Sequence, residues 1–368
     1  MRMIRRMFCL MVVLATLGGC KRAETDSVRV GSILGLSGNN AMYGQQMQRG
    51  YDIALSQINN VKSNPHFDLV TEDSQFDPAK AVSAYRKLTA ADGISLIVGI
   101  TGSRNAIPVC EAARNDNVLI LDPLGSAPKL SSVGGTNYFR IMASDAFAGR
   151  YNVDWAVGNG MHHPAVIFVQ DDWGTSYMNE VRRYLVGKGF SDVPTYEILA
   201  GSRDFRSEVR KIHDAKVDAL FLLLYAKEGA TFMQQLGEAK VNPTVYGSDN
   251  VSSSDFASAG GESINGVYVA MPAETKTAAY DQFAREYRAR YQAEPDANAI
   301  KSYDAMKLLA AAVSKVGKDP SKLRSYLHSS DFLFEGVSGA IHFDEHGDLV
   351  GQQYQRMVYR GTHLEPLQ

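Results

Sequence analysis

Apolar positions recur along this chain in two alternating rhythms. Short β-rich runs at 28–34, 67–71, 95–99 and 118–121 are separated by amphipathic stretches with helical spacing. Residues 43–59 predict a helix with Met47, Tyr51, Ala54, Leu55 and Ile58 on one face. A second helix is predicted over 79–90, with Asp77 as N-cap and Pro78 in the first turn, and a third over 106–115. The run 95–99 has no polar alternation. Continuous apolar strands set between helices predict a parallel sheet covered on both faces.

A second set of the same kind follows Asp145. It reads as helix 147–159, strand 165–169, helices 175–187 and 205–214, strand 219–224, helix 226–239 and strand 244–246. Two consecutive βαβ arrays predict an α/β protein of two doubly wound parallel-sheet lobes. The remainder carries helices near 278–292, 297–316 and 321–328 and a β-hairpin around 344–348. It is too small for a third lobe and is expected to complete the first two.

The N-terminus adds a compartment. Arg2, Arg5 and Arg6 precede an apolar run, 7–16, too short to anchor across a bilayer, so 1–19 reads as a secretory signal peptide. Leu17-Gly18-Gly19-Cys20 resembles a lipobox, which predicts a diacylated Cys20, a lipid-anchored linker over 20–27 and a periplasmic or extracytoplasmic protein held at a membrane. Of the 3 cysteines, Cys9 leaves with the signal and Cys20 carries lipid. Cys110, among Ala106, Ile107, Val109 and Ala112, is expected to be a buried, inert thiol without a disulfide partner.

The composition, 45% hydrophobic and 21% charged, is that of a soluble protein, and about 350 mature residues exceed what one core usually holds. The formal charge of -2 becomes about -5 without the signal arginines, and no basic cluster suggests nucleic acid. The sequence contains no nucleophile elbow, phosphate-binding loop, H-E-x-x-H or C-x-x-C, which argues against an enzyme. Gly158-Asn159-Gly160 reads as a helix C-cap, His162-His163 as a surface loop and 344–348 as a solvated turn instead of a calcium loop, so no cofactor or metal is expected.

Polar and aromatic residues lie just past the strand ends, where open α/β sheets bind ligands. Ser103 and Ser126 follow strands of the first array; Trp173, Tyr225 and Asp249 follow strands of the second. The segments 39–50 (NNAMYGQQMQRG), 77–81, 98–103, 122–130 (DPLGSAPKL), 138–140, 171–174, the helix after Phe205, 302–305 and 343–348 then fall in an order that resembles the branched-chain amino-acid-binding family of periplasmic receptors, across 28–359.

That resemblance implies the type I periplasmic-binding fold, two lobes joined by a three-strand hinge, and a zwitterionic ligand. Its α-carboxylate would be held by Ser103 and Ser126, aided by backbone N–H groups at helix starts, and its α-ammonium by Asp249 and the Leu124 carbonyl. Trp173 and Tyr225 would enclose it, with Tyr43 bordering the side-chain pocket. Trp173 stands where the family more often has Tyr, Leu124 is larger than usual, and Arg104 adds a cation beside Ser103. Crossings near 143–145, 271–273 and 353–355 would give lobe I as 28–144 plus 273–353 and lobe II as 145–272 plus 354–368. The implied partner is the permease of an ABC importer. Rival readings are a ligand sensor, a binder of an amide, urea or aromatic acid on the same fold, and an exported hydrolase.

Overall fold

The computed structural model describes residues 27–38, 40–63, 65–273 and 277–367. The expected signal segment 1–19, Cys20 and nearly all of the linker lie outside the described residues.

Five parallel strands form the first sheet: β1 (Val28–Leu34), β2 (Phe67–Asp73), β3 (Leu96–Ile100), β4 (Leu119–Asp122) and β5 (Tyr138–Arg140), in the order β2-β1-β3-β4-β5. Every residue of β3 and β4 is buried, as runs without polar alternation require. The second sheet has seven strands among the described residues. These are β6 (Pro164–Val169), β7 (Thr195–Ile198), β8 (Ala219–Leu223), β9 (Thr244–Gly247) and β10 (Tyr268–Pro272), followed after a separate two-stranded hairpin, β11 (Phe334–Gly336) and β12 (Gly339–Ile341), by β13 (Tyr354–Arg360) and β14 (His363–Pro366). Its order is β14-β13-β10-β9-β8-β6-β7; β13 and β14 run antiparallel and finish one edge.

The chain passes between the sheets three times: between β5 and β6, after β10, and before β13. The last two passages lie side by side, since the Ala273 amide donates to the Gln353 carbonyl at 2.8 Å. Helices Ala278–Tyr291, Ala297–Val316 and Pro320–Leu327 return to the first sheet, where Phe283, Leu309 and Leu323 share a core with Val30, Leu96 and Leu119. Helix Ala297–Val316 lies tightly against helix Ala41–Asn59. A Cβ on Gly50 would come within 2.2 Å of the Ala299 carbonyl oxygen, so only glycine permits this approach.

Several helices begin two or three residues earlier than the apolar periodicity predicts: Ser103–Ala113 instead of 106, Asp145–Gly158 instead of 147, Asp172–Gly187 instead of 175. The last two of these starts are capped, by Ser144 on the Ala146 amide and by Asp171 on the Gly174 amide. The hairpin expected at 344–348 is a tight turn held by Asp344, which accepts from the His346 and Asp348 amides, and closed by the single bridge Phe343↔Leu349. Asp348 there pairs with the fully buried Arg140, at 2.7 Å to Nε and 2.9 Å to Nη2. Gly160, at φ 81°, ends helix Asp145–Gly158 as expected, and His162 and His163 lie on an exposed loop with their amides donating to Asp218. Cys110 is buried, and burial pushes its thiol pKa well up, which suits an inert packing role. Among the described residues no helix is long and apolar enough to cross a membrane.

Candidate ligand-binding cleft

All seven residues singled out in the sequence stand just beyond C-terminal strand ends. Tyr43 lies in the first turn of helix Ala41–Asn59 after β1, and Ser103 opens its helix after β3. Leu124 and Ser126 follow β4, Trp173 is the second residue of the helix after β6, Tyr225 caps the helix after β8, and Asp249 opens a 3-10 turn after β9. The structure brings them together around one cavity of about 40 Å³, whose wall also includes Gly102, Phe76, Met142 and Asn250.

Within this cavity the polar groups already satisfy one another. The Ser103 hydroxyl oxygen accepts from the Ser126 and Ala127 amides, each at 3.0 Å, and so occupies N–H groups that the sequence reading offered to a ligand carboxylate. The Ser126 hydroxyl donates to Asp145 Oδ2 at 2.8 Å, and the Trp173 indole N–H donates to the same oxygen at 2.8 Å. Asp145 therefore ties a hydroxyl of the first array to an aromatic of the second. Sequence reasoning placed it only at a crossing; its signal was the capped Ser144-Asp145 helix start at that crossing.

Phe76 was also missed. It and Gln75 adopt consecutive left-handed conformations, φ 57° and 53°, which a bulky side chain takes only when its surroundings enforce it. The enforcement is visible: Asp73 accepts from Leu36 N, Gln75 N and the Ser37 hydroxyl, and Ser74 N donates to Leu34 O. Glycine at 102, φ 78°, leaves room for the ring, because a Cβ there would meet it at 2.8 Å. Phe76 thus reaches across to Tyr225, edge on, with centroids 5.5 Å apart, and lies beside Tyr43 at 6.1 Å. Tyr225 in turn stacks on Trp173 at 5.0 Å.

Arg104 completes the bridge. Its guanidinium lies 5.4 Å from the Phe76 centroid and 3.9 Å from Asp171 Oδ2, which also accepts the Tyr225 hydroxyl at 2.7 Å. Further out, Lys129 reaches Asp172 at 3.0 Å and its amide donates to Ser176 at 3.3 Å. Side chains packed on the two sheets thus meet at several points around this cavity and close the cleft there.

The electrostatics of this closed space favour a cation. Burial first, and then the nearby Asp249 carboxylate, push the Asp145 pKa up to about 7, against the hydrogen bonds from Ser126 and Trp173. Burial likewise raises Asp249, partly offset by backbone N–H donors. Two carboxylates cannot comfortably ionise together here, and a positive charge between them would relieve both burial and repulsion. Opposite them, the start of helix Ser103–Ala113 presents the positive end of its dipole.

Residues 27–359 match the family model described as "Periplasmic binding protein". The chain belongs to this family. A Leu/Ile/Val-binding protein (BraC3) of Rhizobium johnstonii is 26% identical over 348 residues, 93% of this chain and 94% of that one. Among solved structures, the leucine-binding protein LivK of Thermotoga maritima superposes with a TM-score of 0.84 at 20% identity, covering 93% of this chain and 98% of that one. A solute-binding protein of an ABC transporter from R. palustris, in complex with benzoate, gives 0.82 at 20% identity, covering 93% and 95%. The type I periplasmic-binding fold, with two parallel-sheet lobes, is therefore that of this protein, and it stands among binding proteins of transport systems.

Proposed function

We propose that this periplasmic binding protein captures an α-amino acid, branched-chain or related, as a zwitterion and presents it to the permease of an ABC importer. The observation that carries the reading is a pair of neighbouring carboxylates, half-buried Asp249 in the wall of an aromatic-lined cavity and buried Asp145 behind the Ser126 and Trp173 of that wall, with Ser103 at a helix start in the same lining. The ligand ammonium pairs with Asp249 in the field of Asp145, aided by the Leu124 carbonyl. The ligand carboxylate takes the place of the internal hydrogen bonds at Ser103 and Ser126. Trp173, Tyr225 and Tyr43 close over the remainder.

Ligand favours the closed form because only there do both sets of contacts exist. The moving bodies are 28–144 plus 273–353 and 145–272 plus 354–368, hinged where the chain crosses near 143–145, 271–273 and 353–355. A lipid on Cys20 holds the protein at the membrane surface, close to its permease. A second reading, an aromatic acid, draws support from the Phe76, Tyr225 and Trp173 rings. It leaves the two carboxylates without a cation, and so ranks below the first.

A thermal-shift screen of the mature chain against amino acids and aromatic acids tests the proposal. A ligand at a hundredfold excess over its Kd stabilises by about 2.7 kcal/mol. The expected result is a raised midpoint with an amino acid, abolished in Asp249→Ala. A response to aromatic acids alone, or an Asp249→Ala protein that responds as the parent does, rejects it.

A further inference from the structure

The cavity just described opens into a much larger chamber of about 530 Å³. Tyr43, Met142, Asp249, Asn250 and Asn298 line both spaces, so the two are continuous. Whole ligand pockets measure roughly 300–1,000 Å³, so the chamber has room far beyond a branched aliphatic side chain. Its lining is largely apolar, interrupted by polar and charged groups.

The decisive residue is Lys301, on helix Ala297–Val316, which lines the chamber and is only 6% exposed. Among the described residues its ammonium has no hydrogen bond or ion pair. Its acidic neighbour one turn on, Asp304, is already committed, accepting from the Val337 and Ser338 amides at 2.8 Å each. The other acids of the wall are engaged too: Asp296 caps the same helix through the Ala299 amide at 3.0 Å, and Glu294 pairs with Arg288 at 2.7 Å. Burial lowers the Lys301 pKa to about 8, partly offset by the charge of Asp304, so the group is still mostly cationic at neutral pH. A buried cation without a partner is costly, and an anion supplied by a ligand would relieve that cost.

The chamber is thus bipolar, with an acid, Asp249, at its junction with the aromatic cavity and a base, Lys301, in its wall, neither held in an ion pair. We propose that it receives the side chain of an amino acid ending in a second carboxylate, which pairs with Lys301 while the α-ammonium pairs with Asp249. The inference rests on the zwitterion reading of the adjoining cavity and narrows it from amino acids in general to dicarboxylic ones.

Calorimetric titration of the mature chain with leucine, glutamate, 2-aminoadipate and glutarate tests it. The expected result is that one of the two diacidic amino acids binds at least about tenfold tighter than leucine, through a charge-assisted hydrogen bond. Lys301→Met removes that preference with leucine affinity unchanged, and Lys301→Arg keeps it. Because Lys301→Met deletes an unpaired buried charge, its unliganded melting midpoint should not fall below the parent's. Tighter binding of leucine than of both diacids, or a preference that survives Lys301→Met, overturns the inference and leaves the zwitterion reading standing. Binding of glutarate but of no amino acid overturns the zwitterion reading itself, and this inference with it.

Discussion

The two compartments of the cleft share Tyr43, Met142, Asp249 and Asn298 yet are finished in opposite ways. In the small one the serines, the indole and Asp145 hold one another, and four aromatic rings fill the space a ligand would need. In the large one space is left open and Lys301 waits unpaired. A site that pairs with itself when empty can close without ligand, and binding there exchanges one set of hydrogen bonds for another, with modest net gain. An unpaired buried charge gains much more from its counterion. On the proposed reading, the first compartment recognises the common α-amino-acid head and the second chooses among side chains.

The comparison breaks most severely at Asp145. Asp145→Ala leaves the Ser126 hydroxyl and the Trp173 N–H buried without an acceptor, each costing about 1–3 kcal/mol. Ligand affinity should fall by about a hundredfold for every amino acid alike, measured by calorimetry; a loss confined to one side-chain class would mean the compartments are not separate. Next comes pH. A proton is held near Asp145 up to about pH 7, and on the zwitterion reading a ligand ammonium displaces it. Affinity should be flat above pH 7 and fall by up to about tenfold per unit as pH drops from 7 towards 5, and Asp145→Asn should flatten that slope.

The same shift affects stability with the opposite sense. Folded-state pKa values raised above the usual carboxylate range, at Asp145 and also at Asp122 and Asp296, both about 6, mean that the empty folded protein binds more protons than the unfolded chain between about pH 4 and 7. The contribution of these groups is greatest at the acid end of that window and is lost as pH rises through it. Melting midpoints of unliganded protein should show it, and saturating ligand should reduce it. The smallest effect belongs to the rim. Lys129→Ala removes a partly exposed interlobe pair, with both side chains more than a third exposed, and should weaken binding less than about fivefold. A larger change in the titration would show that closure depends on the rim more than on the aromatic bridge.

Most of the sheet architecture was legible because its strands are unbroken apolar runs, as in β3 and β8, where every residue is buried. Of the strands that escaped, β5 has three residues, β7 alternates exposed and buried as an edge strand does, and β13 carries polar residues along its length, whereas β10 is an apolar run that was read only as a crossing. The candidate residues that line the aromatic cavity were legible from their place after strand ends and from a resemblance over the whole chain. Asp145 and Phe76 were not, for different reasons. Asp145 belongs to a polar first turn, where apolar periodicity has nothing to register. Phe76 points into the cleft only through two left-handed residues fixed by hydrogen bonds to Asp73, from residues 36, 37 and 75. Lys301 was invisible because its helix reads correctly whichever way one lysine points.

The glycine contact between helices Ala41–Asn59 and Ala297–Val316 bears on how the chain is made. It joins residue 50 to residue 299, so one face of the first sheet stays bare while the whole intervening segment, including strands β6 to β10, leaves the ribosome. Contacts of such long sequence separation form late and slowly, and the exposed apolar face invites association in the meantime. The second sheet likewise waits for the end of the chain, since β13 and β14 form its edge beside β10. A polypeptide exported before it folds avoids this interval, since both ends are present together when folding starts.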